Sequence, residues 1–181
     1  AVDPSSPFTG GALLGDRVRM ADVQNHDDIY IRSLASRGHH GGLTRATRHV
    51  AALLSAAGFD TVLVETVGAG QSDVEIVGLA GTRLVVCPPG LGDDVQALKA
   101  GILEIADLFV INKADLPGAD RTEKGLVSML HARTGGPKRD ILRTTATTGE
   151  GLERLADWIS TRSGHEATPW ALLPRRQQPS R

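Results

Sequence analysis

Apolar residues along this chain gather into short β-branched runs separated by longer stretches with helical spacing. Residues 61–65, 83–87 and 108–112 read as strands, and 140–145 as a fainter fourth. Helical periodicity covers residues 43–57, 72–79, 95–106, 120–133 and 151–161. This alternation predicts an α/β fold with a mostly parallel sheet flanked by helices. The runs around Val64, Val86 and Val110 are apolar at nearly every position, as expected of strands covered on both faces. From Ser163 the periodicity stops, and the chain closes on Pro174-Arg175-Arg176-Gln177-Gln178-Pro179-Ser180-Arg181. Residues 1–162 therefore read as one domain and residues 163–181 as an irregular basic tail.

Composition narrows the partners. The 181 residues are 40% apolar, enough for a hydrophobic core, and 20 basic against 21 acidic residues leave a formal charge of −1. That balance offers no electrostatic case for sequence-independent nucleic-acid binding or for adhesion to an anionic membrane. A lone cysteine, Cys87, excludes an internal disulfide and an all-cysteine metal cage and suits a reducing compartment such as the cytoplasm. No apolar stretch reaches the roughly 18 residues of a membrane span, and no signal peptide opens the chain. The first residue is Ala1, so position 1 reads as a cut or processed end with sequence expected upstream.

Glycine and proline cluster just after three of the strand runs, at residues 66–70, 88–92 and 116–118. In open α/β sheets that edge is where ligands bind. There the apolar run 108–111 delivers Asn112-Lys113-Ala114-Asp115. A carboxylate at Asp115 accepts two hydrogen bonds from the adjacent ring and amino donors of guanine. Asn112 reads the base's other edge, and the Lys113 stem covers its face. Adenine cannot satisfy that carboxylate, and with about 1.5–3 kcal/mol per charge-assisted bond the preference for guanine reaches roughly a hundredfold. As four letters the run is also a polar, helix-capping turn; its place at a strand end favours the base-reading role. Thr144-Thr145-Ala146, followed by Thr148-Gly149-Glu150-Gly151-Leu152, resembles the GTPase loop whose backbone touches the guanine oxygen, here at Thr145 and Ala146.

The run 59–68 reads as a buried strand that delivers Glu65 to the ligand edge and then a flexible glycine. An acid there holds Mg²⁺ directly or through water, and the Gly68 amide can meet a terminal phosphate. Gln71 is placed to orient water, although a plain surface glutamine explains it as well. Asp3 and Asp16 are further acids available to a metal; each also fits a local structural role, Asp3 in a helix-capping turn and Asp16 paired with Arg17 or Arg19.

The runs Val2-Asp3-Pro4-Ser5-Ser6, Thr9-Gly10-Gly11, Leu14-Gly15-Asp16-Arg17, Gly41-Gly42 and Val64-Glu65-Thr66-Val67-Gly68-Ala69-Gly70-Gln71-Ser72 occur in this order. They are followed by Pro89-Gly90-Leu91-Gly92-Asp93-Asp94-Val95-Gln96-Ala97-Leu98-Lys99-Ala100-Gly101 and by the 112–115 motif. From residue 1 to about residue 160 the chain resembles the MeaB/ArgK family, GTP-hydrolysing chaperones of cobalamin-dependent acyl-CoA mutases. The resemblance implies a P-loop NTPase fold and a GTPase that binds GTP or GDP with Mg²⁺. It further implies a partner of the methylmalonyl-CoA mutase type, whose cofactor loading and protection it gates. By residue match, Asp3, Asp16 and Glu65 lie around Mg²⁺, and Asn112, Lys113 and Asp115 hold guanine. Asp93, Gln96 and Lys99 resemble a further switch that brings a lysine near the phosphates, so Asp16, Gln71 and Lys99 are the candidates for catalysis.

Two departures accompany the match. No Gly-x-x-x-x-Gly-Lys-Ser/Thr occurs in these residues, so the phosphate-binding loop is expected upstream, the sheet incomplete at its N-terminus, and this segment inactive alone. The family usually continues into a helical dimerisation arm where these residues give an irregular basic tail, so a homodimer is an expectation for the full-length protein only. Two alternatives remain open. One is a nickel metallochaperone GTPase using Cys87, His39 and His40, although Cys87 on an apolar strand favours a small buried hydrophobe. The other is a non-catalytic module that meets the mutase through residues 93–99.

Overall fold

The computed structural model describes residues 2–3, 20, 23, 26–35, 45–66, 76–90, 100–132 and 139–162. In chain order these form β1 (Val2–Asp3), β2 (Leu34–Ala35), α1 (Arg45–Ala56), β3 (Leu84–Cys87), α2 (Ala100–Ile105), β4 (Leu108–Asn112), α3 (Ala119–Ala132), β5 (Asp140–Thr144) and α4 (Leu152–Arg162). Two parallel sheets result, β1-β2 and β3-β4-β5. The predicted α/β class with a parallel sheet flanked by helices is what the structure shows.

β4 is the centre of the larger sheet. Its alternating side chains enter two separate cores. Phe109 and Ile111 pack with Cys87, Leu103, Ala106, Ala119 and Leu126, under α2 and α3. Leu108 and Val110 pack with Leu142, Leu84, Leu155 and Trp158, under α4. All four of these β4 side chains are at most 2% exposed, which explains why the sequence run is apolar at consecutive positions. Each such burial contributes about 1.5–3 kcal/mol. α2 links β3 to β4 and α3 links β4 to β5. Both cover one face because the strand order advances in one direction, and α4 closes the other face after β5.

Two expectations about the strands need correction. Residues 61–65 form no strand in the sheet, and Leu63 is 80% exposed. Val86, on β3, is 61% exposed where cover on both faces was expected. β-structure is a property of a pair: a β-branched run without a neighbouring ladder stays extended but unassigned. Among the described residues no strand pairs with 61–65, and α4 reaches only as far as Leu84 on that face of β3. The predicted helices 43–57, 120–133 and 151–161 match α1, α3 and α4 to within two residues; α2 starts at Ala100, and residues 91–99 and residues 72–75 of the predicted helix 72–79 lie outside the described set. α1 ends where Gly58 takes a φ of +92° and Phe59 N–H donates to the Leu54 carbonyl at 3.2 Å, a glycine-capped C-terminus. Among the described residues no helix is long and apolar enough to cross a membrane.

At the start of the sheet a single carboxylate ties the strands together. Asp107, just before β4, accepts from Arg83 Nε at 2.8 Å, Arg83 Nη2 at 3.0 Å and the Arg83 backbone N–H at 2.9 Å. Arg139, just before β5, lies 3.6 Å from the same carboxylate and donates to the Glu104 carbonyl at 3.0 Å. The bidentate fork and an exposure near 20% on each partner set this cluster apart from an ordinary surface pair. Asp107→Ala is expected to destabilise the chain by about 2–3 kcal/mol, because Arg83 loses its bidentate acceptor and Arg139 its ion-pair partner. Urea unfolding of the variant checks this, and an unchanged midpoint would refute it.

Candidate functional site

The register of the sheet sets Asn112 opposite Thr144, so the ends of β4 and β5 emerge side by side. The side chain of Asn112 closes the two segments on each other. Its Oδ1 accepts from Thr144 Oγ1 and from the Ala146 backbone N–H, both at 3.2 Å. A second bridge runs from Ala114 N–H to the Thr144 carbonyl at 3.0 Å. With its oxygen committed to the neighbouring loop, the Asn112 amide keeps two N–H donors for other partners.

Beyond Asn112 the chain turns sharply. Lys113 has a φ of 58°, which no other described residue but glycine adopts, and Leu116 N–H donates back to the Lys113 carbonyl at 3.0 Å. A left-handed lysine costs about 1–2 kcal/mol and persists only where surrounding contacts enforce it, a common mark of functional turns. The conformation holds Lys113 and Asp115 exposed at the strand edge, and α3 begins four residues after Asp115, at Ala119.

The facing loop is equally constrained. Thr145 N–H donates to the Glu150 carbonyl at 2.9 Å, while the Thr148 and Gly149 amides donate to the Thr145 carbonyl at 3.1 and 3.0 Å. Gly149 and Gly151 have φ of 83° and 76°. A side chain on Gly151 would run into the Arg143 carbonyl and sit 3.3 Å from Thr144 Cα, so the loop closes onto β5 only because residue 151 is glycine. Thr145 is 2% exposed, and its Oγ1 is buried without a hydrogen-bond partner. Such a hydroxyl costs about 1–3 kcal/mol, so a partner reaching it would be rewarded.

Asn112, Lys113, Asp115, Thr145 and Ala146, taken from two separate motifs, thus form one cluster. The other candidates fare differently. Glu65 is exposed at the end of the extended run 61–66. Asp3 ends β1, its backbone paired in register with Ala35. Asp16, Gly68, Gln71 and Lys99 lie outside the described residues, as do His39 and His40. Among the described residues no group of three histidine, cysteine or acidic side chains gathers as a metal site. Arg143 and Gly151 carry structural weight that motif reading alone passes over; for Gly151 the clue was a second glycine two residues after the first.

A family model, Methylmalonyl Co-A mutase-associated GTPase MeaB, matches residues 1–178. A Pyrococcus horikoshii protein named as a GTPase is 51% identical over 164 residues, 88% of this chain and 52% of its own length. The GTPase ArgK of Escherichia coli is 48% identical over 115 residues, 64% of this chain and 35% of its own. The mitochondrial methylmalonic aciduria type A homologue of Mus musculus is 38% identical over 163 residues, 87% of this chain and 39% of its own. The chain therefore spans about half the length, or less, of the curated relatives it matches. Among solved structures, an LAO/AO transport system kinase superposes with a TM-score of 0.57 at 28% identity, covering 73% of this chain and 42% of that one.

Cys87 ends β3 on the same edge of the sheet, but it belongs to the core. It is 1% exposed, and burial pushes its thiol from an ordinary 9.0 up to about 11. A metal-binding thiolate needs the opposite shift. Because the folded state keeps the proton longer than the unfolded one, stability from this group is full below pH 9 and falls as the pH rises toward 11. Unfolding free energies of the wild type and Cys87→Ala should therefore converge over that range by an amount on the order of 2–3 kcal/mol. Parallel curves would refute the assignment.

Proposed function

The chain belongs to the MeaB family of methylmalonyl-CoA mutase-associated GTPases, and from that membership we propose that its full-length protein binds and hydrolyses GTP in the service of a cobalamin-dependent acyl-CoA mutase. The observation that carries the nucleotide half is the Asn112 bridge: one side chain locks the Asp115 turn to the Thr145 and Ala146 loop at the ligand edge of a parallel sheet. In this reading Asp115 accepts from the ring and amino N–H groups of guanine, the Lys113 stem lies along its face, and the Ala146 side of the loop meets its oxygen. Asn112 both braces the loop through Oδ1 and offers its amide N–H groups to the base.

The phosphate half is assigned by motif. Gly68 offers a backbone amide to the terminal phosphate, Gln71 orients the attacking water, and Asp16 and Lys99 complete the catalytic set. Asp3, Asp16 and Glu65 supply the hard carboxylate oxygens that Mg²⁺ prefers, and the exposed Glu65 side chain is free to serve as a ligand. Mg²⁺ bound there would neutralise charge on the β- and γ-phosphates. The partner is a methylmalonyl-CoA mutase or a close relative, whose cofactor loading and protection the nucleotide state gates. Cys87, 1% exposed within the apolar core, speaks against the nickel-chaperone alternative.

Two experiments test the halves separately. In the full-length protein Asp115→Ala should weaken GDP binding by roughly a hundredfold and leave ATP binding unchanged, since two charge-assisted bonds are lost. Equal affinity of the wild type for GTP and ATP would sink the base assignment. For the partner, GTP hydrolysis by the full-length protein should accelerate when the methylmalonyl-CoA mutase of the same organism is added. A rate indifferent to the mutase would remove that half of the reading.

A further inference from the structure

One side chain joins the two halves of the base-reading cluster from outside it. Arg143 lies on β5, one residue before Thr144, and its guanidinium reaches the first turns of α3. Nε donates to Glu123 Oε2 at 2.9 Å, Nη2 contacts the same oxygen, and Nη2 lies 2.7 Å from Asp120 Oδ1. Asp120 and Glu123 stand three positions apart on one helix face, so a single guanidinium engages both. The backbone of Arg143 is held as well, since the Gly151 end of the loop closes directly onto its carbonyl. α3 is the direct continuation of the turn that carries Lys113 and Asp115, and β5 runs straight into Thr145 and Ala146. Arg143 therefore couples the orientation of one segment to the other.

We propose that Arg143 is a positioning residue for base recognition, holding the Asp115 turn and the Thr145 and Ala146 loop at a fixed separation through its ion pairs with Asp120 and Glu123. The inference rests on the base-reading role proposed above for those segments. Isolated surface pairs contribute little, and Arg143 is 39% exposed. Here the fork engages two carboxylates on a rigid helix and the arginine backbone is pinned, so little side-chain freedom is lost for each bond made. Small displacements at a site of this kind change hydrogen-bond geometry to the base before they change the fold.

The test compares GDP with inosine diphosphate, which lacks the amino group that Asp115 would read, in the full-length protein. Arg143→Ala should lower GDP affinity about fivefold and shrink the preference for GDP over inosine diphosphate by a similar factor, with kcat at saturating GTP unchanged. Arg143→Lys should restore part of the preference, since it keeps the charge but not the fork. Glu123→Gln should act in the same direction as Arg143→Ala and add little to it in the double variant, because both remove one network. An unchanged preference in Arg143→Ala, or equal losses for both nucleotides in step with a lowered Tm, would overturn the inference. If Arg143→Ala does not fold, Glu123→Gln decides the matter: a reduced preference supports the inference and an unchanged one overturns it. A wild type that does not distinguish the two nucleotides at all would fail the base reading itself, and this inference with it.

Discussion

β4 is hydrogen-bonded along both edges and covered on both faces, so none of its residues has an alternative place to go, and whatever leaves its C-terminal end leaves from a fixed point. The neighbouring strands take their register from it. The Asp107 carboxylate anchors the entry to β4 against the approaches to β3 and β5. At the other end, Asn112 carries the same order beyond the sheet into the loops. Apolar burial supplies most of the stability of this arrangement, and the polar anchors at its two ends supply its geometry.

That division explains how an exposed site can still be well defined. Lys113 and Asp115 are exposed, yet the turn bearing them is held by a left-handed backbone at Lys113 and by the Ala114 to Thr144 hydrogen bond. The facing loop is held by its internal amide bonds and by Gly151 pressed against β5. Preorganised donors and acceptors of this kind bind without first being ordered, which removes much of the entropic cost of recognition. Glu65, proposed above as a metal ligand, contrasts with them: it lies near the end of an extended run that no described strand of the larger sheet supports.

Membership of the MeaB family and the geometry of the strand ends are separate lines of argument for the proposed guanine-nucleotide reading. The family match spans nearly the whole chain and says nothing of contacts; the contacts say nothing of the mutase. Together they motivate the proposed placement of a guanine nucleotide beside Asn112 and Thr145.

Much was legible in the sequence because it depended on local pattern. β4 was readable to the residue, since a strand buried on both faces must be apolar at consecutive positions, and α3 and α4 followed from their periodicity. The Asn112 and Thr145 motifs were recognisable from residue type and spacing alone. Tertiary structure decided what depends on partners distant in the chain. Residues 61–65 have strand composition but no ladder among the described residues, and Val86 has an apolar side chain but little cover, because pairing and burial belong to neighbours and not to the residue itself. The joining of Asn112 to Ala146, of Arg143 to Glu123 and of Asp107 to two arginines likewise appears only when parallel strands bring distant residues to one edge. The chemistry available to the site was thus set by residue identity, and its arrangement by packing around β4.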